Sequence, residues 1–167
     1  IEVVDAARIN ADQARVNASE ALAGVPGISV ANRQNYAQDL QISSRGFGAR
    51  SAFGVRGVRL VADGIPASMP DGQGQAATFN LDTAERIEVL RGPAATLYGS
   101  NAGGVIQMFS RDGEGPPRIG AETLVGSDGM SKNHLTAEGA TDDVIAGATA
   151  LEMTHLGSLY HDDVMDG

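Results

Sequence analysis

Hydrophobic and polar positions alternate most clearly between Glu85 and Arg111, in the run ERIEVLRGPAATLYGSNAGGVIQMFSR. Glu85-Arg86-Ile87-Glu88-Val89-Leu90-Arg91 has the period of a strand with one apolar and one charged face. Gly92-Pro93 ends it, because proline has no amide to give a ladder and glycine frees the backbone. A short loop through Leu97, Tyr98 and Gly99 leads into Gly103–Phe109, a second strand entered through a glycine pair. Weaker alternation at 40–43 and 57–62 predicts two further strands, the latter running into the hairpin signal Asp63-Gly64. Ile1–Val4 is apolar and β-branched and predicts another short strand. One helix is predicted over Ala11–Ala23, with Ala11, Ala14, Ala18, Ala21 and Leu22 on one face. Asn10 is its predicted N-cap, Gln13 closes a capping box, Gly24 suits the left-handed position after the helix, and Pro26 follows. Residues 1–113 thus read as an α+β domain: a small mixed four-stranded sheet with flanking short helices.

Turn formers cluster at Gly113-Glu114-Gly115-Pro116-Pro117, and the texture changes there. Arg118–Val125 and Leu135–Ala140 alternate, with a turn at Gly126–Ser131 between them, and Val144–Met153 alternates more poorly. Short alternating strands joined by turns are the pattern of an outer-membrane barrel, so 114–167 reads as its first strands, too few to close it. His155–Gly167 fits neither period. Charge follows the same division. Residues 1–113 carry 10 Arg against 11 Asp and Glu, a net of -1, and 114–167 carry 2 basic and 10 acidic residues, a net of -8. The total of -9 excludes nucleic acid as an expected partner. No run supplies the ~20 apolar residues of a spanning helix. Ile1–Asp5 lacks the basic start and apolar core of a signal peptide, so the chain is expected to be a mature product or a fragment.

Chemistry for catalysis is sparse. There are no cysteines, and no serine or histidine constellation marks a nucleophile. His155 and His161-Asp162-Asp163 have a spacing that does not reliably share a face, and Asp71-Gly72-Gln73-Gly74 has too few carboxylates for a calcium loop, so no metal or cofactor is expected. Gly46-x-Gly48-x-x-Ser51 is a frayed dinucleotide fingerprint, but a strand-like segment follows where the pyrophosphate needs a helix N-terminus. Residues 67–78 form a polar, glycine-rich loop of a length that is more often functional than idle.

Five motifs stand in order: Leu22 to Val30 with Pro26-Gly27, then Arg45-Gly46-Phe47-Gly48-Ala49-Arg50, Asp63-Gly64-Ile65-Pro66, Ile87–Pro93, and Leu97-Tyr98-Gly99 before Gly103–Gln107. In this order they resemble the plug domain of TonB-dependent outer-membrane receptors, with Gln107 where that family usually has asparagine. The resemblance implies an energy-coupled gate for a metal chelate, most often a ferric siderophore, without catalysis of its own. It implies TonB, the receptor's β-barrel and the chelate as partners, with the plug inside the barrel in the bacterial outer membrane. The energy-coupling box is expected upstream of Ile1, since Ile1–Val4 reads as the first plug strand. Ligand-binding candidates are Arg33, Tyr36, Met69, Asp71, Gln73, Gln75 and Tyr98, in loops at one end of the sheet. Plug–barrel candidates are Arg45, Arg50, Glu88, Arg91 and Arg111, because arginine forks can hold carboxylates on an inner barrel wall. The alternative is a stand-alone periplasmic module of the same fold. Several hundred further residues after Gly167 would decide for the receptor.

Overall fold

The structure, a computed structural model, describes residues 1–11, 13–31, 40–51, 54–69, 71–99 and 102–140. It divides into two units, Ile1–Arg111 and Asp112–Gly167.

The first unit is built on a mixed sheet in the order β1-β6-β7-β4-β5. The strands are β1 (Glu2–Asp5), β4 (Arg59–Ala62), β5 (Ile65–Pro66), β6 (Ala84–Leu90) and β7 (Val105–Ser110). β6 pairs antiparallel with both β1 and β7, and β7 pairs parallel with β4. The alternation read in the sequence does the work here. Ile87 and Val89 of β6, Ile106 and Met108 of β7 and Leu60 of β4 enter the main core. Leu90, Val61 and Val105 point the other way, into a smaller cluster with Ala95 and the partly buried Tyr98. Both faces of the sheet are thus covered, the second by the 3-10 turn Pro93–Tyr98. Gly104 lies at φ +105, and a Cβ there would stand 2.4 Å from the Leu90 carbonyl oxygen, so only glycine lets β7 start beside β6.

Four expectations are corrected. The predicted helix Ala11–Ala23 is two short helices, α1 (Ala6–Asn10) and α2 (Ala18–Leu22). Asp5 caps α1 through its carboxylate, and Asn17 with Glu20 forms the capping box of α2, in place of Asn10 with Gln13. Between the helices Arg15 takes φ +55, which no continuous helix allows. The left-handed glycine after α2 is Gly27, not Gly24; Gly24 lacks a side chain where the Arg8 guanidinium packs. The sheet has five strands rather than four, and the 40–43 segment is not among them. It forms β3 (Gln41–Ser44), which pairs with β2 (Ile28–Ala31) in a separate two-stranded sheet. Its residue Ile42 still reaches the main core.

The second unit contains an antiparallel pair, β8 (Arg118–Val125) and β9 (Ser131–Glu138), joined by the turn Ser127–Gly129. The register sets Ile119, Ala121, Thr123 and Val125 beside Ala137, Leu135, Asn133 and Ser131. The opposite face holds Arg118, Glu122, Lys132, His134 and Glu138. Every ionisable side chain of the two strands therefore lies on one face. The third alternation, Val144–Met153, and the terminal histidines lie outside the described residues.

Candidate functional site

Topology gathers the chemistry at one end of the five-stranded sheet. β4 and β7 begin where the antiparallel β6 finishes. The loops at that end are the 54–58 approach to β4, the 67–75 hairpin after β5, and the 91–104 connection between β6 and β7.

The 67–75 hairpin is held by its own backbone. Met69 N–H donates to the Gln73 carbonyl at 2.7 Å and Gly72 N–H to the Met69 carbonyl at 2.9 Å. Val55 and Gly74 exchange both backbone hydrogen bonds, at 3.0 and 2.7 Å, which lays the hairpin beside the approach to β4. That pairing puts Arg56 against it. Arg56 Nη2 lies 3.0 Å from Asp71 Oδ2 and 3.4 Å from Gln73 Oε1. The other Asp71 oxygen accepts from the Gln73 amide at 3.0 Å. This amide hydrogen bond is the main influence holding the Asp71 carboxyl below its ordinary range; desolvation opposes it, and the Arg56 charge adds a smaller downward pull.

The ligand-binding candidates therefore divide. Met69 and Gln75 are exposed on the hairpin. Asp71 and Gln73 are engaged with Arg56, a residue the sequence reading did not select. Tyr98 packs on the Val61, Leu90, Ala95 and Val105 cluster and stays partly exposed. Arg33 and Tyr36 lie outside the described residues.

The plug–barrel candidates divide as well. Arg91 Nη1 donates to the Pro26 carbonyl at 2.6 Å and passes close to Gly27, which Arg45 also approaches. Arg111 lies at the opposite end of the sheet, where its Nη2 donates to the Asp82 carbonyl at 2.9 Å. Arg45 sits at φ +50 and Arg50 is exposed. Among the described residues none of these four arginines makes an ion pair with a carboxylate. Glu88 does: it accepts from Arg86 Nε at 2.8 Å, and that hydrogen bond holds the Arg86 guanidinium above its usual pKa. Arg86 also stacks on Phe109 at 4.0 Å. Glu88 thus has a partner within its own domain. Among the described residues there is no cluster of metal-ligating side chains.

Comparison with known proteins supplies the context. Residues 1–106 match the model of the TonB-dependent receptor plug domain. The pesticin receptor of Yersinia pestis is 32% identical over 135 residues, covering 78% of this chain and 19% of the receptor. The ferrienterobactin receptor of Escherichia coli K12 is 31% identical over 127 residues, covering 64% of this chain and 16% of the receptor. Among solved structures, the ferric yersiniabactin uptake receptor FyuA of Yersinia pestis superposes with a TM-score of 0.66 at 27% identity, covering 85% of this chain and 22% of that one. The siderophore receptor PirA of Pseudomonas aeruginosa superposes with a TM-score of 0.59 at 24% identity, covering 84% and 24%. The chain therefore spans about a fifth of the length of these relatives.

Proposed function

The chain belongs to the TonB-dependent receptor plug family, and from that premise we propose that it is the gate of an outer-membrane receptor that imports a ferric siderophore. In this reading residues 1–113 are the plug, lodged in the lumen of the receptor's barrel, and 114–167 begin that barrel. The gate is moved by TonB through a segment upstream of Ile1, since Glu2–Asp5 is already engaged as a sheet strand against β6. It binds and releases its ligand and catalyses no reaction.

The observation that favours a receptor over a stand-alone periplasmic module is the β8–β9 pair. A strand between lipid and a wet lumen must alternate apolar outward with polar inward. Here one face carries no charge and the other carries all five ionisable side chains. Ile119, Val125 and Leu135 are 81%, 76% and 75% exposed, a pattern that a small domain in water has no reason to keep.

The ligand reading follows from the loops at one end of the sheet. Met69 offers a soft, adaptable apolar contact and Gln75 a hydrogen-bonding head, while Tyr98 offers an aromatic face for a planar chelate. The relatives that support iron-chelate chemistry are receptors for ferric enterobactin and yersiniabactin by name. In the full-length receptor, Met69→Ala with Gln75→Ala should weaken ferric enterobactin binding about tenfold, about 1.4 kcal/mol, at unchanged outer-membrane abundance. Full affinity in the double variant would move ligand reading to the barrel loops.

A further inference from the structure

We infer that Arg56 is the positioning residue of the 69–75 hairpin: it fixes Asp71 and Gln73 so that Met69 and Gln75 are the groups presented outward. The inference deepens the ligand-reading role proposed above and rests on it.

Three acceptors of the hairpin converge on one guanidinium. Nη2 takes the Asp71 carboxylate and the Gln73 side-chain oxygen, and Nη1 reaches the Asp71 carbonyl at 3.5 Å. Asp71 and Gln73 are also joined to each other through the Gln73 amide. The Gln73 side chain lies over Gly54, where a Cβ would stand 2.7 Å from Nε2 and 2.8 Å from Cγ. Gly54 is thus the floor and Arg56 the wall of a slot that holds Gln73. Val55 lies between them and is bonded to Gly74 through its backbone, so the clamp comes from a segment already tied to the hairpin. A planar fork can serve several acceptors at once, and an ammonium on a flexible stem cannot hold the same set.

The magnitudes separate positioning from folding. Arg56 and Asp71 side chains are about half exposed, and an ion pair in that setting contributes little to global stability. Opening of a surface hairpin containing Gly72 and Gly74 is a local equilibrium of its own, and a weak clamp moves it. A consequence is that Asp71 and Gln73 shape the site without touching ligand.

The test uses the full-length receptor with Arg56→Ala and Arg56→Lys, read by hydrogen exchange and by ferric enterobactin affinity. In Arg56→Ala the Gln73 amide should exchange about fivefold faster while β6 and β7 amides are unchanged. Affinity should fall with it, by up to about the same fivefold, since the ligand binds only the closed hairpin. Arg56→Lys should recover only part of both. Unchanged exchange at Gln73 in Arg56→Ala overturns the inference. So does lost affinity with the hairpin still protected, since Arg56 would then be touching the ligand itself. A parent receptor that does not bind ferric enterobactin refutes the ligand reading, and the exchange measurement still decides the role of Arg56.

Discussion

The Glu20 carboxylate accepts from three consecutive backbone amides, those of Arg15, Val16 and Asn17, at 2.8, 2.7 and 3.0 Å. It closes the capping box of α2 and also holds the turn that separates α2 from α1. Glu20→Ala leaves those amides without their acceptor and should destabilise the domain by about 1–3 kcal/mol in urea denaturation. Glu20→Gln keeps an oxygen and should lose less. Asp71 gives a second prediction at this scale. Its folded pKa lies below the ordinary 3.8, so its contribution to hairpin order is complete above that value and is lost as pH falls through the lowered one. Exchange at Gln73 should therefore stay constant from neutral pH down to the ordinary carboxylate range, after correction for intrinsic rates, and rise only below it. Asn17-x-x-Glu20 carries the same signal in the sequence as Asn10-x-x-Gln13. The alanine period that starts at Ala11 points to the earlier pair alone, and Asn17 with Glu20 is not among the expected caps. At the break, Arg15 Nε also lies 3.3 Å from Asp82 Oδ1, a partner remote in sequence that no local pattern reveals.

Among the elements, β6 and β7 were legible because alternation, the Gly92-Pro93 stop and the glycine pair all point to the same two strands. Their neighbours were less so. β3 alternates as a sheet strand does, yet its partner is β2, and no local pattern states which strand pairs with which. The hairpin that carries Met69 was legible as a loop, but its clamp was not. Arg56 acts from a separate segment, and only the Val55–Gly74 pairing brings it there. The two-faced β8–β9 pair gives the test at this scale. In the full-length receptor, Leu135→Arg places a charge on the uncharged face and should lower barrel stability by about 2–4 kcal/mol if that residue lies near mid-membrane. Thr136→Arg, on the charged face, should be tolerated. Equal tolerance of both would contradict a lipid-facing role for the Leu135 face.

For the whole molecule, the first unit is nearly neutral, and the β8–β9 hairpin gathers its charges on one face. Arg45, Arg50, Arg91 and Arg111 make no ion pair among the described residues, whereas Arg56 and Arg86 have theirs within the domain. We propose that the first four meet carboxylates of the enclosing barrel, where the rigid fork suits confined, wet contacts. The family was legible because its motifs contain backbone devices, glycines and prolines at strand ends, whose spacing can be read directly in the sequence. The ligand was not legible, because exposed loop side chains are free to change without cost to the fold. The most direct test of the account is uptake of radiolabelled ferric enterobactin and ferric yersiniabactin by bacteria producing the full-length receptor, with and without TonB. The account predicts uptake of at least one chelate when TonB is present and only background when it is absent. Uptake that persists without TonB, or no uptake of either chelate by a receptor present in the outer membrane, would contradict it.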